Sequence, residues 1–82
     1  MTHIIKLQKE FADAVLSDDK TFEIRWNDRA YQRGDCVKFK VMDGDTQIEH
    51  GLDIKLYKIT YVLSGWGLKN GYVVLGIREV KE

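Results

Sequence analysis

Lys20-Thr21-Phe22-Glu23-Ile24-Arg25-Trp26-Asn27-Asp28-Arg29 is the stretch on which the fold turns. Apolar Phe22, Ile24 and Trp26 alternate with polar Thr21, Glu23, Arg25 and Asn27, the period of two that marks a strand with one dry and one wet face. Phe22, Ile24 and Trp26 are therefore expected in the core. Thr21, Glu23 and Arg25 are expected to share the polar side, spaced roughly 7 Å apart at steps of two. That polar side has two readings. It is a solvated strand face with cross-strand charge pairs, or a carboxylate flanked by a hydroxyl and a guanidinium that can bind the polar edge of a base.

Upstream, His3 to Leu7 is a short apolar run of strand length. Leu7, Phe11, Ala14 and Val15 then recur at helical intervals, and predict a helix from about Gln8 to Ser17. Downstream, Asn27 to Ala30 reads as a loop, and Arg33-Gly34-Asp35 as a turn into a strand carrying Val37, Phe39 and Val41 on one face. Asp43-Gly44-Asp45 is a hairpin signal, with Thr46 to His50 returning from it. Ile54 to Leu63 reads as one long strand whose apolar phase switches, which a bulge near Tyr57-Lys58 would reconcile. Ser64 to Gly71 is a glycine-rich connection, and Tyr72 to Val80 is the last strand. One helix and five or six strands predict an α+β fold. The economical arrangement is a small curved β-barrel with the helix packed beside a cleft, as a single domain over residues 1–82. Phe22, Ile24, Phe39, Ile59, Tyr61 and Val73 are expected in one core with Phe11 and Val15.

Composition bounds the function. Thirteen Lys and Arg balance thirteen Asp and Glu, so a bulk polycation that coats nucleic acid is excluded. Hydrophobic residues at 44% and charged residues at 32% are ordinary for a folded globular chain. No apolar run approaches the roughly 20 residues of a membrane span, and the N-terminus lacks a secretory pattern. Cys36 has no partner for an intrachain disulfide, which fits a reducing, cytoplasmic setting. His3 and His50 are isolated, so no metal-ligand spacing exists and neither a metal nor a cofactor is expected. Arg33-Gly34-Asp35 spells an integrin-binding tripeptide but reads as a turn. The glycines 65, 67 and 71 do not open a long helix after a strand, so they mark bends rather than a dinucleotide fingerprint.

Positive charge is concentrated locally. From Lys20 to Lys40 six basic residues (Lys20, Arg25, Arg29, Arg33, Lys38 and Lys40) stand against three acids. Trp26, in phase with Phe22 and Ile24, is expected in the core. Tyr31 and Trp66 lie in loops and are the better candidates to stack on a base.

The run Lys20 to Arg25, followed by Asp28-Arg29 and by Gly34-Asp35 opening a strand, resembles the ASCH domain signature of the PUA-like superfamily. There a short helix precedes a Lys-Thr-x-x-x-Arg strand, and a Gly-Asp turn follows. Ile59 to Leu63 and Gly67 to Leu75 look like an uncharacterised ASCH-like group of phage and bacterial proteins, and the likeness spans nearly the whole chain. The resemblance implies a small β-barrel whose cleft beside the first helix binds RNA or a modified nucleoside, with Lys20, Thr21, Glu23 and Arg25 lining it and Arg29 and Lys69 as further additions. One ASCH-like branch hydrolyses N4-acetylcytidine with a Lys, a Thr nucleophile three residues later and a Glu. Here Lys20 plus three is Glu23, and Thr21 would point to the opposite strand face from Lys20. Lys20 and Glu23 remain the catalytic candidates, Glu23 as a base for water and Lys20 as a charge partner.

The reading that follows is an RNA- or nucleotide-binding domain. A small amidohydrolase acting on a modified nucleoside is the second reading, and a protein-interaction module such as a phage accessory factor the third.

Overall fold

The computed structural model describes residues 1–81. Strand β1 (Thr2–Gln8) leads directly into helix α1 (Lys9–Leu16). Strands β2 (Phe22–Trp26), β3 (Cys36–Asp43) and the two-residue β4 (Thr46–Gln47) follow. After a 3₁₀ turn over Gly51–Ile54 come β5 (Tyr57–Ser64) and β6 (Tyr72–Glu79). The six strands form one mixed sheet in the order β1-β3-β5-β6-β2, with β4 paired to the end of β3. Only β1 and β3 run parallel, from Thr2↔Cys36 to Gln8↔Met42.

The single helix and mixed sheet agree with the expected α+β class, and the strand positions are close to those read from periodicity. Two elements differ. Ile54 belongs to the 3₁₀ turn, so the long strand begins only at Tyr57. The phase switch is a bulge at Thr60, between Ile59↔Ile77 and Tyr61↔Gly76, rather than near Tyr57-Lys58. The 3₁₀ turn is held by His50. Its Nδ1 accepts from Leu52 N–H, so the neutral ring carries its proton on Nε2 and donates it to Asp13 of α1 at 2.7 Å.

The sheet curls but does not close into a barrel. Asn27 N–H donates to the Gly71 carbonyl and Ile77 N–H to the Thr21 carbonyl. Odd-numbered β2 residues thus aim their backbone groups at β6, and even-numbered ones at an open edge. The opposite open edge is β1. Two arginines bridge this seam, Arg25 Nη1 donating to the Lys6 carbonyl at 3.0 Å and Arg29 Nη1 to the Ile4 carbonyl. Side-chain donors here do what a ladder would otherwise do for β1.

The core lies inside the curl. Ile5 and Leu7 of β1, Ala12 and Val15 of α1, Val37, Phe39 and Val41 of β3, Ile59 of β5, and Val73, Leu75 and Ile77 of β6 are all buried. Phe39, Ile59, Val73 and Val15 lie where the sequence places them. Phe22, Ile24, Tyr61 and Phe11 do not: they are 44%, 52%, 59% and 45% exposed, while Glu23 is buried. The face assignment of β2 is inverted. Alternation separates two faces, but which one meets the core depends on the partner strand, and Glu23 pairs with buried Leu75. Trp26 is likewise 55% exposed, its ring edge-on to Tyr72. That ring also lies over Gly71, whose φ is +86° and where a Cβ would fall 2.2 Å from the indole.

The start of β1 is pinned to the turn before β3 by Asp35. Its carboxylate takes His3 Nε2 at 2.8 Å and Gln32 N–H at 3.2 Å, and lies 3.5 Å from the N-terminal ammonium. The His3 hydrogen bond foremost, then the Gln32 N–H and the ammonium, hold this carboxyl below its usual 3.8 against an opposing effect of desolvation. A depressed carboxyl stabilises the fold fully above its unfolded pKa and loses that contribution as pH falls through the folded value. The stability advantage of wild type over Asp35→Asn should therefore be fully present near pH 5 and shrink below about pH 4. Urea titrations across that range check it, and a constant difference down to pH 2 would contradict it.

Candidate functional site

Lys20, two residues before β2, and Glu23 and Arg25 within it meet at the open seam. Lys20 Nζ donates to Glu23 Oε1 and, at 2.7 Å, to the Phe22 carbonyl. Arg25 Nη1 lies 3.6 Å from Glu23 Oε2 while bonded to the Lys6 carbonyl. Glu23 is the buried member, with a side chain only 7% exposed against 16% for Lys20 and 27% for Arg25. Two cations offset the cost of taking this carboxylate out of water.

The three open onto a cleft of about 420 Å³ between β1, the start of α1 and β2. Lys6, Leu7, Phe11, Phe22 and Ile24 supply the remaining wall, together with Gln8. The Lys20 ammonium stands 4.9 Å from the Phe22 ring centroid and 5.6 Å from that of Phe11, within range of a cation–π attraction to both. The site thus combines a buried acceptor, cations and two half-exposed aromatic rings. Phe11 and Phe22 were missed from sequence because both are in phase with apolar neighbours, which reads as core.

The other candidates are dispersed. Thr21 is exposed and lines a second hollow of about 410 Å³ on the far side of Lys20, floored by Val15, Tyr57 and Ile77. Burial, with the charges of Glu79 and Asp18, pushes the Tyr57 phenol above its usual value there. Arg29 lies along the seam but is committed to β1. Tyr31 is corrected outright as a stacking platform. It is 3% exposed, its ring packs edge-on to His3 at 4.8 Å, and its hydroxyl is buried without a hydrogen-bond partner. Asn27 Oδ1 takes the Tyr31 N–H and turns the loop inward, a local bond that periodicity does not reveal. Lys69 is exposed beside a separate hollow formed by the β5–β6 connection. Among the described residues no three His, Cys, Asp or Glu side chains gather as a metal centre, and no helix is long and apolar enough to cross a membrane.

Fold and site together define a small α+β domain with an open-seamed mixed sheet and a charged cleft at the seam. The chain belongs to the family described as "Domain of unknown function (DUF3850)", whose model matches residues 2–77. Among solved structures it is similar to the crystal structure of hypothetical protein PH0355, with a TM-score of 0.64 and 18% identity over 98% of this chain and 100% of that one. At that identity the likeness is one of fold. No curated protein matches the sequence.

Proposed function

We propose that this chain is an ASCH/PUA-like domain that binds RNA or a nucleotide-like ligand in the cleft between β1 and β2. The observation that carries the reading is the buried Glu23 carboxylate, held by Lys20 and Arg25 at the mouth of an apolar-walled cleft of about 420 Å³. That volume suits a nucleoside-sized ligand. A base would lie against the Phe11 or Phe22 ring, with an exocyclic amine donating to Glu23. Lys20 spends two of its three N–H donors within the protein and Arg25 only part of its five, so both retain donors for carbonyl or phosphate oxygens. Lys6, Lys20 and Arg25 against Glu23 leave the lining net positive, which favours an anionic ligand. The curved sheet with a helix beside the cleft supports the PUA-like part of the proposal, and the free Cys36 fits a cytoplasmic setting. Thr21 faces the other hollow, so a threonine acyl-enzyme forms no part of it.

Titration of nucleosides, nucleoside monophosphates and short single-stranded RNAs tests the reading. Arg25→Lys should weaken binding about tenfold although charge is kept, because ammonium cannot mimic a planar two-pronged donor. Glu23→Gln should alter base preference more than affinity. Salt dependence should be shallow, on the order of two or three released counterions. Incubation with N4-acetylcytidine should release no cytidine above background. Turnover abolished by Lys20→Ala or Glu23→Ala would replace the binding reading with water activation by the carboxylate. Identical titration curves for wild type and both variants would remove the cleft as the binding site. Absence of binding by wild type would favour the protein-interaction module.

A further inference from the structure

The outer face of the sheet carries a second constellation, which borders the cleft only at Phe22 and does not rest on the cleft's reading. Val73, Leu75 and Ile77 of β6 point into the core, so Tyr72, Val74, Gly76 and Arg78 point out. Register continues each across to its neighbours: Phe22, Gly76 and Tyr61 form one row, and Arg78 stands opposite Lys58 in the next. The bulge at Thr60 makes this possible. Without the extra residue Tyr61 would turn inward, and with it an aromatic ring 59% exposed stands beside a glycine. A Cβ at Gly76 would meet Thr60 Oγ1 at 3.0 Å and Tyr61 Cβ at 3.6 Å. The glycine therefore leaves a low floor between two rings.

Lys58 and Arg78 are like charges placed directly opposite, an arrangement that costs stability in an antiparallel pair. Arg33, from the turn before β3, joins them around a hollow of about 380 Å³ completed by Gly34, Ile59 and Thr60. No carboxylate lines it, and none of the three cations forms an ion pair among the described residues. Two planar guanidiniums, an ammonium and the Thr60 hydroxyl are the donor set for a phosphate. The hollow lies one strand repeat, roughly 7 Å, from Tyr61. An acidic peptide would meet the cations but has no use for a bare ring beside a flat floor, whereas a nucleotide strand uses both.

We infer that the Arg33–Lys58–Arg78 hollow holds a backbone phosphate of a single-stranded nucleic acid, with an adjacent base stacked on Tyr61 over Gly76. The test is binding of fluorescein-labelled octauridylate to the full chain at two salt concentrations. Polyphosphate serves as a base-free competitor, and cytidine, which has an exocyclic amine for Glu23 and no phosphate for the outer hollow, reports on the cleft. Tyr61→Ala should weaken octauridylate binding about tenfold. The double variant Lys58→Gln/Arg78→Gln should weaken it at least as much and lower the salt slope by about one. Both changes are at exposed positions, and thermal melts confirm that the fold is kept. Neither should alter cytidine binding, which Arg25→Lys alone should reduce, so the two sites fail or succeed separately. Octauridylate affinities within twofold of wild type in both outer-face variants would overturn the inference. So would an unchanged Tyr61→Ala with full competition by polyphosphate, which would leave a charge-only patch, and so would absence of octauridylate binding by wild type.

Discussion

Phe39→Ala is expected to lower the unfolding free energy by about 3–5 kcal/mol, the largest single loss in the molecule. Phe39 is 3% exposed at the middle of β3, the strand that pairs with β1, β4 and β5, and its ring packs edge-on against Tyr57 at 5.5 Å. Truncation removes the transfer energy of the ring and leaves a cavity between the sheet and α1, which eight residues of helix are too short to refill. An 82-residue domain has on the order of 5–15 kcal/mol in all, so the variant should melt at least about 12 °C lower at a cost of roughly 4–8 °C per kcal/mol. Urea unfolding checks the value: the midpoint should fall with the m-value unchanged. A loss below 1 kcal/mol would mean that Phe39 is not the centre of the core.

The second large effect is at the buried carboxylate. Lys20→Met should cost about 2–4 kcal/mol, because it strips Glu23 of its closest counter-charge and leaves Arg25 at 3.6 Å as partner. Converting both residues in Lys20→Met/Glu23→Met should recover much of that loss, since the burial cost disappears with the charge. The double-mutant cycle should therefore give a coupling of at least about 1.5 kcal/mol. Equilibrium unfolding of the four proteins at neutral pH measures it. Additivity within about 0.5 kcal/mol would show a pair screened by solvent, and the proposed ligand recognition would lose its anchor in the cleft. A stable double variant that no longer binds nucleotide would in turn separate the functional cost of the charges from their structural one.

Local pattern reveals most of the elements. The alternation of β2, the Phe11–Ala14–Val15 spacing of α1, the Gly34-Asp35 turn and the glycine-rich β5–β6 connection are all visible in the chain, and the elements lie where those signals put them. The charged trio was legible too, because Lys20, Glu23 and Arg25 fall within six residues and their side chains do meet. The direction of the strand was not. Phe22, Ile24 and Trp26 look like a core face, but a period of two is symmetrical, and only pairing with β6 decides which side is buried. The bulge at Thr60 is a residue count between two strands, and no single strand contains it.

Apolar periodicity also fails for residues whose position is set by a long-range bond. Tyr31 looked like a loop aromatic free to stack, yet Asn27 captures its backbone and His3, 28 positions away in the chain, receives its ring. Arg29, expected to add to the cleft, is placed by a bond to a carbonyl of β1. Composition, charge balance, element order and the identity of the charged trio are properties of the chain read in order, because each depends on neighbours a few residues apart. The face β2 turns to the core, the seam that Arg25 and Arg29 bridge, and the cations that converge from Arg33, Lys58 and Arg78 depend on how the sheet curls. That curl is a sum of strand pairings across dozens of residues, and tertiary packing alone sets it.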